Sequence, residues 1–213
     1  MFDVKRAQQR LNDHGYSLAV DGLDGPRTYA ALYRFMARDR INDAAALERG
    51  RAAVVWLPKG DLLSGSGLRL VHWFGQTCVE SMNFTRSREI WGPTPAQRGY
   101  EGRKDLGNTQ PGDGKRYMGR ADIEITGRGN YRAAGERLGM PLEEHPELAE
   151  QMPAAIAISV DYWKANNLNR WADADDVLAL SRAINLGNPR SEHTPNGLAD
   201  RQVATARART ILL

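Results

Sequence analysis

Hydrophobic side chains recur at helical spacing along most of the chain. In the first stretch Val4, Ala7 and Leu11 follow one another at intervals of three or four residues, and Gly15 is a helix stop. A second helix is predicted from Pro26, because the first helical position tolerates a residue without an N–H group. Further helical patterns cover residues 41–57, 68–82 and 130–138, the stretches that begin at Pro146 and Pro153, and a pair of segments that flanks residues 185–189. The chain is therefore predicted to be mainly α-helical.

Two segments depart from this spacing. Residues 92–120 contain seven glycines and three prolines, which exclude a continuous helix. Long irregular segments inside compact domains are usually functional or disordered, and the aromatic and charged residues here favour an ordered, functional loop. Residues 122–126 alternate strictly between polar residues and the apolar Ile123 and Ile125. That pattern predicts a short half-buried strand with Glu124 and Thr126 together on its polar face.

Composition narrows the class of protein. The chain has 213 residues, of which 41% are hydrophobic and 26% charged, so it can fold around a sizeable core. Its single cysteine, Cys78, excludes an internal disulfide and is predicted to be a buried core residue. The net charge of +3 suits an anionic target. No dense run of lysine and arginine is present, so nucleic-acid binding is not expected.

Further absences in the sequence lead to expectations about location and metals. The first residues lack the apolar segment of a signal peptide, and no apolar run approaches the roughly 20 residues of a membrane span. We therefore expect no signal peptide and no stable membrane insertion. The four histidines are scattered without the ligand spacing of a zinc site, so no metal is expected.

Two carboxylates stand out as candidates for glycoside hydrolysis, which needs a neutral acid and a charged base or nucleophile across a sugar-binding cleft. Glu80 lies near the end of a predicted helix, where the helix dipole disfavours the carboxylate form. Nearby aromatic residues can also reduce its hydration. Glu101 lies in the glycine-rich loop beside Arg98 and Arg103, which would keep it ionised. The alternative, that both are ordinary surface charges, stays open on spacing alone.

Three segments of the chain resemble glycoside hydrolase family 19, the family of certain lysozymes and chitinases. The segment GLRLVHWFGQTCVESMNF resembles a helix that ends in an Ala-His-Glu-Ser signature in that family. Residues 89–131 are similar to the long catalytic segment of its endolysin-like branch, and residues 183–201 to its closing segment. The resemblance spans roughly residues 45–210. It implies a mainly α, lysozyme-like fold of the family 19 chitinase type with a short β segment.

The beginning of the chain resembles a different unit. The segments LNDHGY and VDGLDGPRTYAALYRF are similar to a small three-helix peptidoglycan-binding module. We therefore expect two domains, a wall-binding module over residues 1–40 and a lysozyme-like hydrolase domain over residues 41–213. The alternative is that residues 1–40 form only a helical cap on the hydrolase domain.

The family resemblance implies an inverting mechanism without a metal or organic cofactor. Glu80 would be the general acid and Glu101 the general base that activates water, with the two carboxyl groups roughly 6.5–9.5 Å apart. Thr126 would help to hold the nucleophilic water. The resemblance and the loop composition together also imply a set of substrate-binding residues, namely Gln76, Tyr117, Arg120, Glu124, Asn130, Tyr131 and Asn185.

The sequence departs from the family pattern at several positions. Val79 stands where the family has a histidine, and Glu124 replaces the usual glutamine. A third carboxylate in the cleft would raise the pKa of its neighbours, so we expect an activity optimum shifted by a coupled carboxylate group. These departures also keep alternatives open, namely a chitinase or a wall-binding relative that has lost catalysis.

The leading expectation is an endolysin of the kind that phages use. Such an enzyme would hydrolyse the β-1,4 bonds of peptidoglycan glycan strands. We expect a monomer that accumulates in the host bacterial cytoplasm and reaches the wall after a holin-like partner permeabilises the membrane.

Overall fold

Helices account for nearly all of the regular structure in the computed structural model, which describes residues 2–213. They are α1 (Val4–Asp13), α2 (Pro26–Ala37), α3 (Asp43–Trp56), α4 (Leu68–Glu80), α5 (Pro95–Arg98), α6 (Asp113–Arg116), α7 (Arg128–Leu138), α8 (Ala154–Ala165), α9 (Asn169–Asp173), α10 (Val177–Leu186) and α11 (Leu198–Leu212). Short 3₁₀ turns occur at Pro58–Gly60, Lys104–Leu106 and Pro146–Glu150. Within residues 2–213, no helix combines the length and the apolar character that a membrane span requires.

Most helix boundaries follow from the local signals in the sequence. Asp3 accepts a hydrogen bond from the backbone N–H of Arg6 and so caps α1, while Pro26 is the first residue of α2. Helix α7 ends at Gly139, whose φ of 66° is the left-handed conformation that glycine adopts without steric cost. The prediction of a mainly α-helical fold is confirmed.

Helix α4 lies at the centre of the core, and residues 70–78 are all buried. It packs closely on α11, because a Cβ atom at Gly75 would lie 2.2 Å from Thr205 Oγ1. On another side, Trp73 meets Trp163 of α8 edge to face, with ring centroids 5.5 Å apart. Only a glycine at position 75 allows the two helices this close approach, which sets the position of α11 relative to the end of α4.

The prediction of a strand over residues 122–126 is wrong, because these residues belong to a tight turn. Arg120 and Ile125 exchange backbone hydrogen bonds of 3.2 and 2.8 Å, which closes a tight turn between them. Ala121 and Glu124 have φ values of 67° and 53° in the left-handed region, so the backbone cannot be extended. The short β segment is reduced to isolated bridges at Arg120.

This turn is anchored to the core although it is not a strand. Ile123 and Ile125 are buried and Glu124 is only half-buried, as the alternating pattern indicated. Asp122 is fully buried and accepts a hydrogen bond of 2.6 Å from Arg49 of α3. The turn therefore holds Glu124 in a defined position.

Residues 2–40 share a hydrophobic cluster with the later helices. Leu11 of α1 and Tyr33 of α2 belong to it, and the Tyr33 ring lies 5.0 Å from that of Phe74 in α4. Helix α3 packs against the start of α2, where a Cβ atom at Gly50 would lie 2.1 Å from the carbonyl oxygen of Pro26. The division of the chain at residue 40 stays a prediction.

Candidate active site

An arginine from α11 joins two residues of α4 at the end of that helix. Arg201 donates to Gln76 Oε1 at 2.7 Å and to Glu80 Oε1 at 2.5 Å. Gln76 in turn donates to the hydroxyl of Ser181 in α10. The Arg201 side chain is 3% exposed and that of Glu80 12% exposed. Glu80 therefore has a fixed orientation at the edge of the solvent-accessible surface.

A second carboxylate, Glu89, is held in the loop that follows α4. Its Oε1 accepts the backbone N–H of Gly119 at 2.6 Å, and its Oε2 accepts the side-chain amide of Gln97 at 2.9 Å. Gln97 is itself fixed by a capping box at the start of α5, where its oxygen accepts the N–H of Thr94. Both carboxylate oxygens of Glu89 thus accept hydrogen bonds, which fix the orientation of the side chain.

A third carboxylate, Glu124, lies beside the first two. Burial and the negative charges of Glu80 and Glu89 raise the pKa of Glu124 to about 7 from its usual 4.5, and Arg201 acts in the opposite direction. Geometry places Glu124 next to Glu89, because a Cβ atom at Gly119 would lie 3.2 Å from Glu124 Cβ and 3.5 Å from Glu89 Cδ. We refer to Glu80, Glu89 and Glu124 together with Arg201 as the carboxylate cluster.

The carboxylate cluster contains groups suited to acid and base chemistry. Three carboxyl groups face one guanidinium, so at neutral pH the cluster favours retention of a proton. Thr126 lies on the same side, with its hydroxyl 3.4 Å from the place of a Cβ atom at Gly119, and it donates to the carbonyl of Glu124. The half-buried Trp91 and Tyr100 stand beside the cluster, with ring centroids 6.4 Å apart. Such rings can stack against a sugar.

The structure does not bring Glu101 into this cluster. Its two carboxylate oxygens accept the backbone N–H groups of Gly112 at 2.6 Å and Gly114 at 2.8 Å, at the start of α6. A carboxylate is favoured there, because the first N–H groups of a helix lack partners within it. Glu101 is exposed, and the charges that act on Glu124 come from Glu80, Glu89 and Arg201. The expectation that Glu101 faces Glu80 is therefore corrected.

Four of the expected substrate-binding residues are buried and serve the fold. Gln76 is fully buried and holds Arg201. Tyr117 is 1% exposed and donates to the carbonyl of Glu143. Tyr131 is fully buried and donates to the Met118 carbonyl, while Arg120 donates to the Tyr131 hydroxyl and to Glu150. Because their polar atoms have partners inside the protein, a direct contact with sugar is corrected to a supporting role.

The remaining expected residues are accessible. Asn130 is exposed, and its amide donates to the carbonyl of Thr126 at 2.7 Å. Asn185 is half-buried one turn beyond Ser181 on α10, and it accepts the N–H of Asn196 at 2.8 Å. Glu124 and Thr126 are half-buried. Because these side chains reach the surface, they are accessible to a ligand.

Two residues of the carboxylate cluster were missed by the sequence reasoning, although both lie in segments that resemble the family. Glu89 directly precedes Ile90 and Trp91, an exposed and a half-buried apolar residue next to the glycine-rich loop. Arg201 is the last residue of the closing segment, and its spacing from the glutamates gives no signal of contact. The pairing depends on how α11 packs on α4, which a local pattern does not contain.

Sequence comparison finds relatives that match part of the chain. No protein-family model matches. A Haemophilus influenzae protein described as a glycosyl hydrolase family 19 domain-containing protein is 36% identical over 92 residues, or 43% of this chain and 44% of that protein. An Arabidopsis thaliana endochitinase is 38% identical over 74 residues, covering 35% of this chain and 26% of the relative. Rice chitinase 8 is 33% identical over 95 residues, which cover 44% of this chain and 33% of the relative. The matches span less than half the length of these relatives.

Solved structures match a larger part of the chain. Chitinase C from Streptomyces griseus superimposes with a TM-score of 0.62 at 19% identity, over 85% of this chain and 75% of that one. A chitinase C mutant matches with a TM-score of 0.59 at 20% identity, over 89% and 94% of the two chains. The fold is therefore the lysozyme-like fold of family 19 chitinases, as the sequence resemblance implied.

Proposed function

We propose that the protein is a glycoside hydrolase that cleaves β-1,4 bonds in the glycan strands of bacterial peptidoglycan. The single observation that carries this proposal is the carboxylate cluster at the end of α4. It places two hydrogen-bonded glutamates and a third with a raised pKa beside half-buried aromatic side chains. The similarity to family 19 hydrolases in sequence and fold supports the same reaction class.

In this proposal Glu89 takes the role of general base that the sequence reasoning gave to Glu101. Its two accepted hydrogen bonds hold its carboxylate in one orientation, from which it can remove a proton from water. Thr126 lies close enough to help orient that water. Attack by water opposite to the leaving group would invert the anomeric configuration.

Glu80 is the proposed general acid, with Arg201 fixing its orientation. The sequence resemblance places the acid at this position. Glu124 is the competing candidate, because it keeps a proton up to a pH of about 7. A test of both residues in parallel distinguishes them, since a glutamine can replace Glu124 as a hydrogen-bond donor but cannot replace an acid that gives up its proton.

Peptidoglycan is proposed as the substrate because of the first 40 residues. The resemblance to a wall-binding module falls on the loop between α1 and α2. That loop borders an open cavity of about 490 Å³, lined by Leu18, Leu23 and Pro26 and by Leu47 of α3. Because Ser17, Arg27 and Arg51 also line this cavity beside the apolar residues, it can accept part of a peptide or a sugar. We further propose the endolysin setting, with a monomeric enzyme released to the wall by a holin-like partner.

Chitin is the second candidate substrate, and the observation in its favour is the description of several relatives as chitinases. Both polymers are β-1,4-linked chains of acetylated amino sugars, so one carboxylate cluster could hydrolyse either. A wall-binding protein without activity is the third candidate.

Product release from purified sacculi and from chitin tests the proposal. We expect the native protein to clear a suspension of sacculi and to give first products with inverted anomeric configuration by NMR. We expect the Glu80→Gln variant to be at least ~100-fold slower, and the Glu124→Gln variant to stay active at acidic pH. Activity on chitin alone would move the chitinase candidate to first place. If no glycan is cleaved by the folded native protein, the hydrolase proposal is refuted.

A further inference from the structure

A second charged region lies on the Cys78 side of α4, away from the carboxylate cluster. It is a pocket of about 290 Å³ between the end of α2, the end of α4 and the middle of α11. Arg38, Arg40 and Arg207 line it, together with Cys78, Asn83 and Asp200. Cys78 and Glu80 are two positions apart on one helix, so their side chains point to different sides of α4. We refer to this region as the arginine pocket.

The three guanidinium groups have no carboxylate partner within residues 2–213. Other arginines form the ion pairs of that part of the chain, and Asp200 on the pocket wall is in none of them. Arg207 donates to the carbonyl of Met36 at 2.9 Å, which leaves its other donors available. Burial, followed by the charges of Arg38 and Arg40, lowers the pKa of Arg207. The like charges are therefore close enough to repel one another.

The cysteine on the wall of the pocket lies within this positive field. Burial raises the pKa of the Cys78 thiol to about 11. Arg207, Arg38 and Arg40 all act against that rise, in this order of strength. Two separate segments, the end of α2 and the middle of α11, thus direct positive charge to the same pocket, and Asp200 on its wall pairs with none of the three arginines.

We propose that the arginine pocket binds a phosphate monoester. With three arginines and one aspartate the pocket carries a net charge of about +2, which matches the charge of a phosphate monoester near neutral pH, roughly −1.5 to −2. A planar guanidinium can donate two parallel hydrogen bonds to phosphate oxygens, and two or three such groups can surround one phosphate. The amide of Asn83 is a further possible donor. A carboxylate or a phosphodiester carries only one negative charge and matches this pocket less well.

Calorimetric titration of the full chain with inorganic phosphate, in chloride buffer at constant ionic strength, tests the site. We expect saturable binding that weakens by about tenfold in Arg40→Gln and again in the Arg40→Gln, Arg207→Gln double variant, since each loses a charge-assisted contact. Arg86 is a matched control, because it is exposed, forms none of the ion pairs of residues 2–213 and is not among the residues that line the pocket. We expect Arg86→Gln to bind as the native protein does. Circular dichroism shows whether each variant is folded, and the exposed Arg40 makes the single variant informative even if the double variant unfolds.

The pH dependence separates a dianion site from general attraction to anions. Phosphate loses its second charge below a pH of about 6, whereas sulfate and the arginines keep theirs. We expect phosphate binding to weaken between pH 7.5 and 5 while sulfate binding does not. The absence of saturable binding, or equal binding by the native and Arg40→Gln proteins, overturns the proposal.

Two sources of the ligand can be compared with the same variants. A sugar phosphate represents a soluble or wall-bound monoester, and phosphatidylcholine vesicles containing phosphatidic acid represent a lipid headgroup. Binding of the sugar phosphate without vesicle binding assigns the site to a carbohydrate ligand. Vesicle binding that depends on Arg40 and Arg207 assigns it to a membrane surface. None of these outcomes depends on hydrolase activity, so the proposed function and the arginine pocket can fail independently.

Discussion

Helices α4 and α11 together separate two charged regions of opposite sign. On one side, three glutamates of the carboxylate cluster share Arg201. On the other side, three arginines share a pocket with the single acid Asp200. Arg201 and Arg207 come from the same helix six residues apart, yet only Arg201 is paired. The comparison shows that one packed pair of helices can border a site whose arginine has a carboxylate partner and a pocket whose arginines have none.

The difference between the two arginines follows from the cost of burying charge. Arg201 is almost completely buried, which is tolerable only because Glu80 and Gln76 accept its hydrogen bonds. Arg207 is only half-buried, so part of its guanidinium group stays hydrated. The cost of burying its charge is therefore smaller, and the fold tolerates it without a carboxylate partner. We infer that the carboxylate cluster is fixed before any ligand arrives, whereas the arginine pocket gains its counter-charge from outside the chain.

The largest expected effect compares two glutamates that the sequence alone could not rank. Glu89→Gln removes the proposed general base, so we expect hydrolysis of sacculi to slow by at least ~100-fold. In Glu101→Gln the charge at the start of α6 is lost, at a cost of about 1 kcal/mol in the free energy of unfolding. We expect the Glu101 variant to retain activity within a few-fold, with its melting temperature lower by about 2–4 °C. The opposite ranking of the two activities would restore Glu101 as the base.

The second effect compares the two arginines of α11. Arg201→Gln leaves Glu80 half-buried without its cation and Gln76 without its donor, and loss of one partner of a buried pair costs roughly 3–5 kcal/mol. Arg207→Gln removes one hydrogen bond to a carbonyl and also relieves repulsion, so we expect a net change below about 1 kcal/mol. Urea unfolding of both variants measures the two costs. Equal losses would contradict the distinction between a compensated and an uncompensated arginine.

The third effect concerns the proton on Glu124. Its pKa is raised from 4.5 to about 7, so the folded state holds a proton that the unfolded state has released between those two values. Its contribution to stability is complete below a pH of about 4.5 and is lost as the pH rises through about 7. We expect Glu124→Gln to be more stable than the native protein by roughly 2–3 kcal/mol at pH 8 and about equal to it at pH 4.5.

The same variant tests the shape of the activity profile. Since glutamine stands in for the protonated acid, we expect the native enzyme to lose activity above pH 7 and Glu124→Gln to keep it to higher pH. The Glu124→Asp variant is the matched control, because it keeps the carboxyl group. Identical pH–rate profiles for the native and Glu124→Gln enzymes would show that Glu124 does not limit the reaction.

Sequence reasoning predicted the helices well because their signals are local. The cap at Asp3, the start at Pro26 and the stop at Gly139 each depend on a few neighbouring residues. The strand predicted over residues 122–126 is part of a turn instead, because alternating burial of Ile123 and Ile125 arises in both structures. Positive φ values at Ala121 and Glu124 distinguish the turn from a strand. Alanine and glutamate rarely adopt positive φ, so the sequence did not predict it.

The site was only partly predictable for a related reason. The resemblance pointed to Glu80 and Thr126, whose catalytic roles stay predictions, but it gave no sign of their neighbours Glu89 and Arg201, which are defined by contacts between distant segments. Tyr117, Arg120 and Tyr131 were expected at the wall of the cleft because of the family resemblance. Tyr117 and Arg120 belong to the irregular segment of residues 92–120. The structure shows that such a segment, which lacks the hydrogen bonds of a regular element, needs buried polar side chains for its own support.

The smallest expected effect returns to the arginine pocket. Arg40 is exposed and unpaired, and it lowers the pKa of Arg207 by repulsion. We therefore expect Arg40→Gln to be slightly more stable than the native protein at low ionic strength, by less than about 0.5 kcal/mol. The gain should disappear near 1 M chloride, where the Debye length is only about 3 Å. Arg86→Gln, measured beside it in thermal melts without phosphate, should show no gain at either salt concentration. If Arg40→Gln is destabilised at low salt, Arg40 stabilises the fold in some other way, and the pocket is less strained by like charge than its geometry indicates.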